Sequence, residues 1–124
     1  MESEIVKDNG SSKAPSIAVL PFSNLSNDPE QDYFADGITE DIISQLSKIK
    51  NIRVIARTSV LQYKGTTKNI IQIAKELGVN NILEGSVRRI GDDVRIVGQL
   101  IDINTDDHLW SDTYDRKMNN IFEV

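Results

Sequence analysis

The sequence predicts a mixed α/β fold (α+β mixed) in the order β-α-β-α-β-β-β, with about five strands in one mixed sheet and two main helices. Three observations predict it. Two short apolar runs, SIAVLPF at 16–22 and IRVIA at 52–56, have the length and composition of buried strands. The stretches that follow them carry apolar residues every three or four positions, the period of a helix with one buried face. From residue 82 the period changes to alternation, broken by two short links rich in turn formers.

Each element follows from its residues. Pro21 limits how far the first strand can continue its ladder, because proline donates no hydrogen bond. Asp28-Pro29-Glu30-Gln31 then reads as a helix start: a capping residue, proline at the first helical position, and Gln three residues after the cap. This helix carries Phe34, Ile38, Ile42, Leu46 and Ile49 on one stripe, widened by Ile43. Gly37 lies inside it at a cost of roughly 1 kcal/mol relative to alanine. Either a neighbouring backbone comes close there, or Gly37 divides a first short turn from the main helix, with Asp36 or Thr39 capping again; the second reading is preferred. After the strand at 52–56, Thr58 and Ser59 can cap a single turn through Leu61 and Tyr63, closed by Gly65. The second helix spans 69–77, with Ile70, Ile73, Ala74 and Leu77 inward and Gly78 as its left-handed stop.

The three alternating runs are 82–90, 94–103 and 108–116. Gly91-Asp92-Asp93 and Asn104-Thr105-Asp106-Asp107 join them as hairpins of a meander. In the middle run Val94, Ile96 and Leu100 share one face, while Arg95 and Gln99 share the other with Val97 and Ile101. That pattern suits a strand covered by helices on one side and partly wet on the other. The right-handed crossover rule places both helices on the same face if the strands progress in one direction.

Composition narrows the function classes. The chain has 124 residues, enough for one domain, with 39% hydrophobic and 27% charged residues, as in an ordered globular protein. Its net charge of −5 opposes binding to nucleic acid or anionic lipid. It contains no cysteine, which excludes disulfides, a thiolate zinc site and a cysteine nucleophile. No apolar run approaches the ~20 residues of a membrane span, so membrane attachment would come only through a segment outside this chain. Residues 1–14 read as a flexible tail or linker, without the order of a secretory signal. The closing NNIFEV reads as the start of a truncated following helix at 119–124, capped by Asn119 or Asn120, so the chain is expected to be one piece of a longer protein.

The candidate chemistry is thin. The loop SNLSNDPEQD has no glycine to let backbone approach a phosphate, and its acids repel one. A calcium loop counted from Asp28 would need glycine where Tyr33 stands. Among Ser23, Ser26, Ser44, Ser47, Ser59, Ser86 and Ser111, none sits in a Gly-x-Ser-x-Gly elbow. Gly85-Ser86 lies in a strand, where glycine marks close packing or a bulge. His108, the single histidine, sits beside Asp106 and Asp107 at a turn and reads as a surface residue; one His with turn aspartates is a poor metal set. Glu40 and Asp41 point apart on their helix. Arg88 and Arg89 fall on opposite faces, so cross-strand pairing of these arginines and Arg95 with acids is expected rather than an anion site. Trp110, Tyr114 and Arg116 share one face of the last strand. They are either a contact strip beside a free edge or a cover for the core beneath a helix. No catalytic or metal residue and no cofactor is assigned.

Several pieces together carry a resemblance: AVLPF, the DPEQ, YFADG and TED run, VIARTS, YKG, A-x-ELGV, LEGSVRR, QLID and HLW-x-x-x-YDR. From about Ser16 to the last residue the chain resembles the TolB-like amino-terminal domain of bacterial proteins that also carry adenylate or guanylate cyclase domains and tetratricopeptide repeats. The resemblance implies a small domain over 15–118 similar to the TolB N-terminal domain, with no catalytic activity of its own. The expected function is therefore a non-enzymatic accessory, sensory or protein-interaction module of a larger bacterial signalling protein. Its partner would be another protein, a homodimer mate or neighbouring domains of the same chain, on the cytoplasmic or periplasmic side, with no nucleic acid bound. The alternative is a small-ligand or nucleotide site at the carboxyl ends of the parallel strands, built from Asn24, Ser26, Arg57, Thr58 and Ser59.

Overall fold

The computed structural model describes residues 15–105 and 107–117; the predicted tail at 1–14 and the predicted helix start at 119–124 lie outside them. The strands are β1 Ser16–Val19, β2 Ser23–Asn24, β3 Arg53–Val54, β4 Asn81–Ile90, β5 Asp93–Asp102 and β6 Asp107–Lys117; the helices are α1 Asp32–Leu46, α2 Arg57–Val60 and α3 Ile70–Leu77. The six strands form one mixed sheet in the order β3-β1-β4-β5-β6, with β2 also paired to β4. The mixed architecture and the closing meander are those expected. A short sixth strand is added, and the single turn expected after the second apolar run forms as a four-residue helix.

The extra strand has a local cause. Val19 pairs with Leu83 and Ser23 with Ser86, so the β1–β2 side holds one more residue than β4 between these points. Pro21 sits in this bulge, where no ladder donor is required. The N–H of Phe22, displaced from the ladder, donates instead to the Thr39 hydroxyl at 2.9 Å, and that hydroxyl donates to the Ala35 carbonyl at 3.0 Å. The bulge thus fastens the strand to α1.

Asp28 caps a 3₁₀ turn, Pro29–Gln31, that feeds α1. The expected division at Gly37 is absent: α1 is continuous, and nothing lies within 4 Å of where a Cβ on Gly37 would stand. Burial of Ala35, Ile38 and Ile43 outweighs the single glycine, since each large apolar side chain buried contributes roughly 1.5–3 kcal/mol. Thr39 therefore serves Phe22 and Ala35 rather than a new cap. Ile49 lies beyond the helix end and is exposed, not part of the stripe. In α2 the cap position is Ala56, which offers no side-chain bond, so Thr58 and Ser59 lie inside the turn instead of capping it. The amide of Ile55 is still bonded to Ile17 O at 3.1 Å, so the chain leaves the sheet late and turns at once, driving Val60 and Tyr63 into the core. For α3, Gly78 stops the helix at φ +70° as expected, while Asn69, read as the first helical residue, is its cap, the side chain accepting from the Gln72 N–H at 2.8 Å.

With β1 between β3 and β4, the first crossover moves one way across the sheet and the second returns the other way. The strands thus do not progress in one direction, the condition for a shared face, and a right-handed path puts α1 and α3 on opposite faces. Burial agrees: Val19 and Leu83 face one layer, while their neighbours Ala18 and Ile82, pointing the other way, are both 0% exposed. Past β4 the α1 side stays covered along β5, while the opposite face is covered only at the end where Ile101, 2% exposed, pairs with Ile82. Val94 is buried and Ile96 and Leu100 pack on that core, whereas Arg95 on the opposite face is exposed.

Candidate functional site

Two glycines shape the covered face. Gly85 and Gly98 pair directly across β4 and β5, and neither brings a side chain. The Phe22 ring lies against Gly85, and the Trp110 indole lies over Gly98, its nearest carbon 3.3 Å from where a Cβ would be. Between α1 and β6 this leaves a groove of about 390 Å³, with Ile38 and Ile42 on one wall, Leu83, Ile96 and Gly98 as floor, and Trp110, Tyr114 and Arg116 on the other wall.

All three residues of the predicted strip meet there. The Trp110 and Tyr114 rings stand 6.4 Å apart at 33°, and the Arg116 guanidinium lies 5.5 Å from the Tyr114 centroid. A register shift between Leu100 and Ile101 precedes Trp110, so the alternation from 110 to 117 is undisturbed. Trp110 is 41% exposed while Tyr114 and Arg116 are half-buried. They flank the core beside α1 rather than lie beneath it. β6 ends the strand order, so its outer backbone groups have no strand partner among the described residues. Sequence reasoning missed Phe22, Ile38, Ile42 and Gly98 as members. A second glycine at an inward position of an alternating run was the legible signal.

The alternative set does not converge. Asn24 lines a shallow cavity of about 240 Å³ with Pro21, Asp32, Asp36 and Lys64, but Ser26, Arg57, Thr58 and Ser59 do not. Its amide donates to Asp28 O at 2.9 Å and Asp32 Oδ1 at 2.7 Å, and its oxygen accepts from the Ser26 N–H at 2.9 Å. Ser26 Oγ accepts from the Arg89 N–H at 2.9 Å. Arg57 Nε is 2.8 Å from Glu40 Oε2. Lys64 is held by Asp36 at 2.8 Å, which raises its pKa. These polar groups are employed in loop and interhelix bonds.

Several of the remaining charges form structural pairs. Tyr63 Oη donates to Glu76 at 2.7 Å, raising the phenol pKa and lowering that of the carboxyl, to which Lys68 adds a contact at 3.0 Å. Arg95 pairs with Asp115 at 2.8 Å, as expected for a cross-strand arginine, and its hydrogen bond lowers the Asp115 pKa. Arg88 stands opposite Arg95 in the register, not opposite an acid. His108 lies in β6 opposite Ile101, with its side chain outside the described set. Among the described residues no three His, Cys, Asp or Glu side chains are grouped to hold a metal, and no helix is long and apolar enough to cross a membrane.

The fold and groove define a small mixed α/β domain with an apolar channel beside its edge strand. A family profile described as the second domain of HilA/YgeH-like transcriptional regulators matches residues 12–123, and the chain belongs to that family. A protein named putative adenylate cyclase 3, from Rhizobium meliloti (strain 1021), is 58% identical over 110 residues, which are 89% of this chain and 19% of that protein. Among solved structures, lipoprotein GNA1162 from Neisseria meningitidis aligns with a TM-score of 0.66 at 20% identity, covering 82% of this chain and 79% of that one. TolB from Acinetobacter baumannii aligns at 0.62 and 16% identity, covering 89% of this chain and 25% of its own. The expected likeness to TolB is thus one of fold, while the family shown is the HilA/YgeH-like second domain.

Proposed function

We propose that this domain is a non-catalytic contact module of a larger bacterial signalling protein, working through the groove between α1 and β6. The observation that carries the reading is that Trp110, Tyr114 and Arg116 line one open apolar channel, with Trp110 well exposed. Trp, Tyr and Arg are the residue types most enriched at binding hot spots. The channel has one cation, Arg116, and one acid, Asp41, at its margins and an apolar floor, which fits a hydrophobic protein segment better than a polar metabolite. The relative named adenylate cyclase, of which the chain spans 19%, supports a place beside a nucleotide cyclase domain. The resemblance to cyclase- and tetratricopeptide-linked domains points the same way. The family's description as regulators fits a signalling role, and the charge of −5 leaves any contact with DNA to another domain.

The test replaces Trp110 and Tyr114 with serine and follows folding by circular dichroism and association, with itself or with the rest of the full-length protein, by sedimentation. A contact surface loses association and keeps its fold, because complete burial of such a ring is worth ~3–5 kcal/mol and these are only partly covered. Lost folding with unchanged association would assign both residues to the core and end the proposal.

A further inference from the structure

We propose that β6 pairs antiparallel with β6 of a second copy, about a two-fold axis at Tyr114 perpendicular to the sheet, so that the module's partner is this chain itself. This rests on the contact-module reading and names the occupant of that surface. β6 is an edge strand of 11 residues, about twice the usual length, and so a long template for a further strand. Two bonds show which of its backbone groups point outward. The Thr113 N–H donates to Asp112 Oδ1 at 2.8 Å, and the Asp115 carbonyl accepts from Arg116 Nη1 at 2.9 Å. Both groups are held by side chains instead of β5, and backbone direction alternates along a strand. Positions 111, 113, 115 and 117 therefore offer their N–H and C=O to the free edge.

An axis at Tyr114 uses those groups in full. It sets position 113 opposite 115, and 111 opposite 117, of the second copy, each an outward-facing pair that exchanges two hydrogen bonds. The Thr113 N–H then bonds to the Asp115 carbonyl of the other copy. The two side chains that had covered these groups, Asp112 and Arg116, come face to face across the strands. They carry opposite charges and meet twice by symmetry, in the close, non-hydrogen-bonded position. Neighbouring charges are already employed: Arg95 holds Asp115 and Asp93 holds Lys117, while Asp112 has no ion-pair partner among the described residues. Other registers lose this match. An axis at Asp112 or Asp115 brings like carboxylates together, and one at Thr113 sets Asp112 against Tyr114 and Arg116 against Trp110. The axis keeps the α1 faces of both copies on one side, so the two grooves join at the paired Tyr114 residues.

The experiment is sedimentation of the 124-residue chain over a concentration series, with Asp112→Arg and Arg116→Asp as variants and circular dichroism as the folding check. The parent chain is expected to dimerise. Each variant alone sets like charges opposite each other twice, and its dimer should weaken by about tenfold or more. An equimolar mixture of the two restores opposite charges at both positions and should dimerise about as well as the parent. A monomeric parent overturns the proposal, as do variants that dimerise like the parent or a mixture no stronger than its components. Should a variant fail to fold, isotope-filtered Overhauser spectroscopy on mixed labelled and unlabelled parent decides. Cross-peaks between Asp112 Hα of one copy and Arg116 Hα of the other are expected, and their absence overturns the pairing. If the parent is monomeric but Trp110 and Tyr114 still prove to be contact residues toward the rest of the full-length protein, the contact module stands and the second copy is discarded.

Discussion

Alanine in place of Gly85 would put a methyl group where the sheet has no room. Its Cβ would stand 2.1 Å from the Val97 carbonyl oxygen and 2.5 and 2.8 Å from two carbons of the Phe22 ring. Carbon atoms pack at roughly 3.5–4.0 Å, so the ring would need to retreat by about 1 Å. It has little freedom to do so. Phe22 is buried, and its N–H is held by Thr39. The Val97 oxygen belongs to an internal strand and can move only with the backbone. Overpacking costs ~1–3 kcal/mol and occasionally more; two obstacles, one of them main chain, place Gly85→Ala near ~3 kcal/mol. A gain of ~0.4–1 kcal/mol from restricting the unfolded chain offsets little of it. With a urea m-value of ~1.5 kcal/mol/M, the midpoint should fall by about 2 M. Gly98→Ala is the control: its Cβ meets only Trp110, at 3.3 and 3.6 Å, on an exposed edge ring that can tilt, so its cost should stay within about 1 kcal/mol. Urea titration followed by circular dichroism measures both. Equal midpoints for the two variants, or Gly85→Ala within about 1 kcal/mol of the parent, would refute the close-approach argument.

Three further outcomes are expected. Thr39→Val keeps the shape of the side chain but leaves the buried Phe22 N–H without an acceptor, and should cost ~1–3 kcal/mol in the same titration. Glu76 is held below its ordinary 4.5 first by Tyr63 and then Lys68, and Asp115 below 3.8 by Arg95. Both bind a proton less readily folded than unfolded, so their contribution is complete above those ordinary values and is lost as pH falls through the lowered folded ones. Thermal stability should therefore decline between about pH 5 and pH 3, and Glu76→Gln should flatten that decline. In a thermal-shift screen with nucleotides and common metabolites, the melting temperature should stay constant; a ligand at 100-fold its Kd would add about 2.7 kcal/mol and revive the loop site at Asn24.

Legibility followed the range of the interactions involved. Periodicity and stop signals are local, so the helix at 69–77 and its Gly78 stop were readable, as was each strand of the meander to within a residue or so. The common face of Trp110, Tyr114 and Arg116 was readable for the same reason, since the register shift falls before it. Nonlocal facts were not. The central place of β1, which reverses the second crossover, depends on which strands pair. The continuity of α1 through Gly37 depends on tertiary burial overriding propensity. The groove itself arises from Gly85 and Gly98 meeting across two strands, a coincidence visible only once the register is known.

The most direct test replaces Trp110 and Tyr114, one at a time, with the photo-crosslinking residue benzoylphenylalanine in the full-length protein within its own cell, and Arg88 on the opposite face as reference. Irradiation should join positions 110 and 114 to a protein segment, in the same chain or another, while position 88 stays unlinked. Crosslinks only from position 88, or none from 110 and 114, would contradict a groove built for contact.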